Sequence, residues 1–372
     1  MRLFRSAVLI TILGMVGVWQ GCDSGSGSGG GNNGGGKGIG GGSTATYLAY
    51  LDPVAANVNV TTIPTSGTLA TAAGSPYLAG SQPVSMTISP DGKFIYVVNA
   101  SSGNVNQYAI SATGALTQPV PPIATGVQPS VMAIDPTSRF ALVANQGAST
   151  LSVYSINPTT GVLTATGSPI TLNVTGPKTI AINGNFVFVA STIAIDVLIF
   201  NSTNNTFSFG TGSSIGGGSS ANIVAMYAPP QATNRLYVLD ASSNSIIPYN
   251  VSNTGVLTQG ASIPVGAQPT AMIADEGNRF LYVANQGSNN LSVFQVDPGT
   301  GALTTATVSP IATITSPTVV ALDTVNHFLF VAGSAPPEIQ TYSEDTGTGA
   351  LTARGTPLAV NNTPAAMVVA KP

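Results

Sequence analysis

One unit recurs along this chain every 46 to 48 residues, and that period restricts the fold more than any other feature. Each unit opens with a proline and a short apolar run: Pro83-Val84-Ser85-Met86, Pro129-Ser130-Val131-Met132, Pro177-Lys178-Thr179-Ile180, Pro269-Thr270-Ala271-Met272, Pro317-Thr318-Val319-Val320 and Pro364-Ala365-Ala366-Met367. The fourth copy has Ile223 in place of the proline. A fixed spacing of this size, filled with short strands, is the mark of a β-propeller, in which each repeat is one blade that buries its faces against its neighbours.

The second unit shows how one blade is written. Ser130 to Ile134 reads as a first strand, and Asp135-Pro136-Thr137-Ser138 as a turn, because Asp and Pro favour turn positions. Phe140 to Ala144 forms a second strand ending at Asn145, and Leu151 to Tyr154 alternates as a third. Asn157 to Gly161 turns again, and Val162-Leu163-Thr164 begins a fourth. The same words return as Ile95 to Asn99, Phe186 to Ala190, Leu236 to Asp240, Leu281 to Asn285 and Phe328 to Ala332, and as Gly114-Ala115-Leu116-Thr117, Gly255-Val256-Leu257-Thr258, Gly301-Ala302-Leu303-Thr304 and Gly349-Ala350-Leu351-Thr352. The expectation is seven blades of four antiparallel strands.

The seventh blade is split. After Pro364 only Ala365 to Pro372 remains, enough for one strand, while Tyr47 to Asp52 matches the second strand of the other units. The two termini should therefore share one sheet, which closes the ring and removes two exposed edges.

The expected domains are 1–22, 23–44 and 45–372. Arg2 and Arg5 precede an apolar run from Ala7 to Val18 and then Gly21-Cys22, the pattern of an export signal too short for a permanent span. Cys22 is the only cysteine, so it has no disulfide partner within the chain. Its position resembles the acylation site of bacterial lipoproteins, although Trp19 and Gln20 depart from the usual lipobox; ordinary cleavage is the alternative. Residues 23–44 are almost all Gly, Ser and Asn, a composition that behaves as a flexible tether with a span of roughly 25 Å. The expected location is outside the cytoplasm, on a membrane through the lipid.

Only 6% of the residues are Asp, Glu, Lys or Arg and the net charge is −3, which argues against nucleic acid as a partner. No zinc-spaced Cys/His cluster, calcium loop or phosphate-binding glycine loop is present, so no metal or cofactor is expected.

Tyr96-Val97-Val98-Asn99 and Tyr282-Val283-Ala284-Asn285 resemble the YVTN repeat of bacterial seven-bladed propellers. The fuller pattern, with Asp297-Pro298-Gly299-Thr300-Gly301-Ala302-Leu303-Thr304 and Thr166-Gly167-Ser168-Pro169, resembles the lactonase-type propellers related to 6-phosphogluconolactonase. The likeness covers residues 45–372 and rests on turns and strands. It implies a propeller that opens sugar lactones, or a relative that has lost that chemistry. None of these motifs carries the family's active-site groups.

Opening a lactone needs a base and something to hold an oxyanion. A residue that fills a repeated slot is read as structural, and one that breaks the slot as a candidate. His327 is the only histidine, but its slot before the second strand holds Lys93, Arg139, Asn185, Arg235 and Arg279, a solvated turn position. Asp135, Asp275 and Asp323 share the turn after the first strand; Asp52, Asn99, Asn145, Asp240 and Asn285 share the exit of the second, where short polar side chains cap backbone. Asp196 and Glu338 are assigned to the slot of Asn104, Thr150 and Asn290. Lys178 breaks its slot, held elsewhere by Val84, Ser130, Thr270, Thr318 and Ala365, and is placed near the mouth of the central channel, where it would hold an anion. Met86, Met132, Met226, Met272 and Met367 share one slot with Ile180 and Val320, which reads as packing between wedge-shaped blades rather than a thioether site for a soft metal. Lys178 and His327 are thus the two catalytic candidates.

Three functional classes fit: a monomeric module binding a protein or small carbohydrate-like ligand at a propeller face, a lactone hydrolase, or a structural protein of the envelope. The sparse acid–base chemistry favours the first.

Overall fold

A computed structural model describes residues 45–211, 215–216, 221–229 and 234–372. The expected export segment, Cys22 and the expected tether lie outside them. The described chain forms seven sheets, each an antiparallel blade whose first strand is innermost. The inner strands are Pro83–Ile88, Pro129–Ile134, Thr179–Asn183, Ile223–Tyr227, Pro269–Ala274, Pro317–Asp323 and Ala366–Ala370, and they define blades one to seven. Each lies beside the inner strands of the blades before and after it, and Ala366–Ala370 beside Pro83–Ile88 closes the circle.

The closing blade has the shared sheet expected from the repeat register. Tyr47 pairs with Ala370, Ala49 with Val368 and Leu51 with Ala366. The outer strand differs from the simple four-strand expectation. In six blades it is interrupted into two short stretches that pair with different parts of the third strand; only blade six keeps one run, Leu351–Ala359. Proline is one cause. Pro76 and Pro310 have no N–H for the ladder, and the preceding serine takes part instead. Ser75 Oγ accepts from Val60 N at 2.9 Å, and Ser309 Oγ from Val293 N at 3.0 Å.

Seven apolar clusters fill the spaces between blades, and each contains one member of the methionine slot. Met86, Met132, Ile180, Met226, Met272, Val320 and Met367 belong to seven different clusters, all buried. The sulfurs therefore form no common ligand set; each side chain contributes about 1.5–3 kcal/mol of apolar burial.

Neighbouring blades are also latched by polar contacts. Tyr96 OH donates to Gly161 O at 2.7 Å, one blade further on. That glycine has a physical reason. Its φ is +69°, and a Cβ there would stand 2.3 Å from the Phe94 ring of the preceding blade. The exit slot of the second strand caps backbone as expected: Asn99 and Asn145 accept from Gly80 N and Gly126 N at 3.0 and 2.9 Å. Asp196 requires a correction. Val189 pairs with Asp196, which places it inside the third strand rather than in the Asn104 slot. It is fully buried, and its Oδ2 accepts from Asn173 N and Val174 N at 2.7 and 3.0 Å. It holds the connector into blade three, a task for which Ser191, in the strand-exit slot, is too short.

Candidate functional site

Inner strands begin on one face of the ring and end on the other. The turns between first and second strands therefore share a face with the turns between third and fourth. At the junction of blades two and three this face is tightly closed. Asp135 is buried, and Arg139 donates to it from Nε at 2.9 Å and from Nη2 at 2.6 Å. Thr137 Oγ1 adds a bond of 2.5 Å. Burial works against ionisation of Asp135, but the bonds from Arg139 and Thr137 outweigh it and hold the carboxyl below its ordinary range. Arg139 reaches on to blade three, donating to Asn185 Oδ1 at 3.0 Å and lying 4.9 Å from the Phe200 ring.

Blade five has the corresponding turn Asp275-Glu276-Gly277-Asn278-Arg279-Phe280, with Glu276 in place of Pro136, Asn278 in place of Ser138 and three further changes at its junction with blade six. Gly277 stands where Thr137 stood, so no side-chain hydroxyl reaches the acid. His327 stands where Asn185 stood, and Glu344 where Phe200 stood. The last correspondence is fixed by the ladder: Phe200 N donates to Asn185 O at 2.7 Å, and Glu344 N to His327 O at 2.8 Å.

These changes open a pocket. A cavity of about 230 Å³ is lined by Asp275, Glu276, Gly277, Arg279, His327, Glu344 and Thr346. Asp275 is 3% exposed. Its Oδ1 accepts from Arg279 N at 2.5 Å and Phe280 N at 2.8 Å. Its Oδ2 is buried with no hydrogen-bond partner, although Arg279 Nε lies 3.4 Å away. The Arg279 side chain is 51% exposed, against 31% for Arg139. Glu344 Oε1 accepts from Tyr282 OH at 2.8 Å. Burial pushes the Glu344 carboxyl above its ordinary range; Asp275 adds to the push, while Tyr282, His327 and Arg279 oppose it. Tyr227 OH also bonds Asn278 Oδ1, tying this turn to blade four.

The two candidates from the repeat are not brought together. His327 lies in the left-handed turn of blade six (φ +53°) and faces the pocket. The solvated-turn assignment is right for its backbone position but overlooks what surrounds it. Lys178 precedes an inner strand, on the opposite face, where its N donates to Ala190 O at 2.7 Å. Its side chain is half-buried, away from every pocket residue. Asp135, Asp275 and Asp323 all cap their turns as expected, but Asp135 and Asp323 are hydrogen-bonded on both oxygens and Asp275 on one. Glu344 was missed by the sequence reading. Its slot holds Ile63, Ile110, Ile156, Phe200, Val251 and Val296, so it is the lone acid in an otherwise apolar column. Among the described residues no three of His, Cys, Asp and Glu are placed to share a metal ion.

The family profile described as "Lactonase, 7-bladed beta-propeller" matches residues 54–182 and 183–320, well over half of the chain. The chain belongs to this lactonase-type propeller family. Among solved structures, this lactonase-family propeller is similar to a putative 6-phosphogluconolactonase from Bacteroides fragilis (17% identity, TM-score 0.74, 88% of this chain and 98% of that one). It is similar to the periplasmic gluconolactonase PpgL of Pseudomonas aeruginosa (16%, TM-score 0.71, 88% and 99%) and to apo AztD from Citrobacter koseri (13%, TM-score 0.57, 88% and 98%). At these identities the likeness speaks for the fold. A search of curated proteins finds no match.

Proposed function

We propose that this lactonase-family propeller is an exported, lipid-anchored module that binds a small polar ligand in the pocket between blades five and six. The observation that carries this reading is convergence. One departure from the repeat, Glu344, and two differences from blade two, Gly277 and His327, fall around one cavity, while at the matching junction of blades two and three Arg139 bonds Asp135 and Asn185 and lies against the Phe200 ring. A cavity of about 230 Å³ falls below the common range of about 300–1,000 Å³ for drug-sized ligands and suits a small molecule or the end of a larger one. Export and anchoring rest on Arg2, Arg5, the apolar run and Cys22.

One arrangement favours a second reading, lactone opening. A carboxylate with raised proton affinity is the stronger base. Glu344 would take a proton from water as the water's oxygen attacks the lactone carbonyl. Arg279 would hold the developing oxyanion, and His327 would give a proton to the ring oxygen as its bond to the acyl carbon breaks. The product is the hydroxy acid, with one water consumed.

The full chain assayed against sugars and aldonolactones, beside Glu344→Gln and His327→Ala, tests both. Saturable binding without turnover, weakened by Glu344→Gln, supports the first reading. Turnover that falls in both variants replaces it with the second. A Cys22→Ser chain that stays in the membrane fraction refutes the anchor.

A further inference from the structure

We propose that the pocket binds the protonated amine of a small ligand, held between Asp275 Oδ2 and the Glu344 carboxylate. This deepens the reading of the pocket as a ligand site and rests on it.

Asp275 Oδ2 is an acceptor without a hydrogen-bond donor. A buried carboxylate oxygen without a donor is costly; Asp196 Oδ1 is left in the same state, but Asp196 is not among the residues that line the cavity. At blade two the donors are Thr137 and Arg139, and at blade six Asp323 Oδ2 receives Thr46 Oγ1 at 2.9 Å and Asn326 Nδ2 at 2.7 Å. Blade five retains the acid and loses the hydroxyl. Arg279 approaches Oδ2 only to 3.4 Å, without hydrogen-bond geometry, and leaves half of its side chain in solvent.

The second step is charge. Asp275, Glu276 and Glu344 face one guanidinium and one imidazole. Where Arg139 has the Phe200 ring beneath it, the corresponding place beside Arg279 is another acid. Tyr282 occupies Oε1 of Glu344. The Asp275 and Glu344 carboxyls thus line the same small cavity, with Asp275 Oδ2 itself closed to solvent beside Arg279 Nε. An ammonium group matches them in sign and offers three donors. A phosphate or carboxylate would meet repulsion from both, and among the described residues no three ligands are placed for a metal ion.

Calorimetric titration of the full chain with glucosamine, glucose and gluconolactone near neutral pH tests this. Glucose has a hydroxyl where glucosamine has the amine. The expected result is glucosamine binding at least about tenfold tighter than glucose, with the preference lost in Asp275→Asn and Glu344→Gln, as for any ammonium stripped of a buried counter-charge. Gly277→Thr is the second variant. The atom nearest its Cβ would be Arg279 Nε, at 2.9 Å on a flexible side chain that can shift, and its hydroxyl would supply the bond made in blade two, so binding should disappear while the melting temperature holds or rises. Equal or tighter binding of glucose or gluconolactone overturns the amine assignment and leaves the pocket as a ligand site. Glucosamine preference that survives all three variants also overturns it. No binding by any of the three probes overturns both the assignment and the reading beneath it.

Discussion

Across the junction of blades five and six, Tyr282 OH donates to Glu344 Oε1 at 2.8 Å, joining a tyrosine of one sheet to the single acid in a column of Ile, Val and Phe. Burial raises the Glu344 carboxyl above its ordinary value of 4.5, so the folded protein holds that proton more tightly than the unfolded chain does. The resulting stabilisation is complete below the unfolded value and is lost as pH climbs through the folded one. Glu344→Gln keeps a neutral side chain at every pH. Its melting temperature should match the wild type at acid pH and exceed it increasingly above about 4.5. Melts across a pH series check this; a difference that does not change with pH refutes it.

Arg139 and Arg279 occupy the same slot, and their removal should have unequal consequences. Arg139→Ala strips Asp135 of both guanidinium bonds and leaves a buried carboxylate short of donors, at a cost of about 3 kcal/mol. Arg279→Ala removes a half-exposed side chain that makes no hydrogen bond to Asp275 Oδ2, and should cost less than about 1 kcal/mol. Asp135 sits below its ordinary value, so its contribution is present above about pH 3.8 and fades as pH falls through the folded value; Arg139→Ala should flatten that fall. Urea unfolding of both variants at several pH values gives the comparison, and similar losses for the two would contradict it.

Glycines of the outer turns allow strain and clash to be separated. Gly161 has φ +69° and the Phe94 ring 2.3 Å from a would-be Cβ, whereas Gly167 has φ +67° and nothing within 4 Å. Gly167→Ala should cost about 1 kcal/mol from backbone conformation alone. Gly161→Ala should cost at least about 2 kcal/mol, because the ring between two blades must shift as well. Equal destabilisation by the two would show that Phe94 yields freely.

The repeat made the fold legible, because period, turn chemistry and strand alternation all report on one blade at a time. The pairing of the C-terminal strand with Tyr47–Leu51 followed from the spacing of Asp52 to Pro83, which matches that of Asn99, Asn145 and Asn285 to their next repeat prolines. The pocket was legible only in part. His327 drew notice as the lone histidine, yet its slot looked solvated, since a slot comparison asks what stands above and below a residue in the repeat and not what faces it from the next blade. Glu344 was detectable by the same comparison had the end of the third strand been aligned, where it breaks a column of Ile110, Ile156 and Val296. Gly277 was not detectable, because the loss of the Thr137 hydroxyl matters only once Asp275 is known to be buried.

Ring closure has its own test. Deleting residues 364–372 removes the inner strand of blade seven and leaves Thr46–Asp52 without its partner on that side. It also takes Met367 from the cluster between blades six and seven and Ala366 from the one between seven and one. Two blades then face solvent with apolar surface, and an unpaired edge invites association. The truncated chain should lose its single cooperative melt and elute as aggregates on gel filtration. A synthetic peptide of residues 364–372, added in excess, should pair with the free edge of Thr46–Asp52 and recover the monomer, as an added strand does at any vacant sheet edge. A truncated chain that melts like the whole protein would mean that the circle is held by its other blades and that the last strand only decorates it.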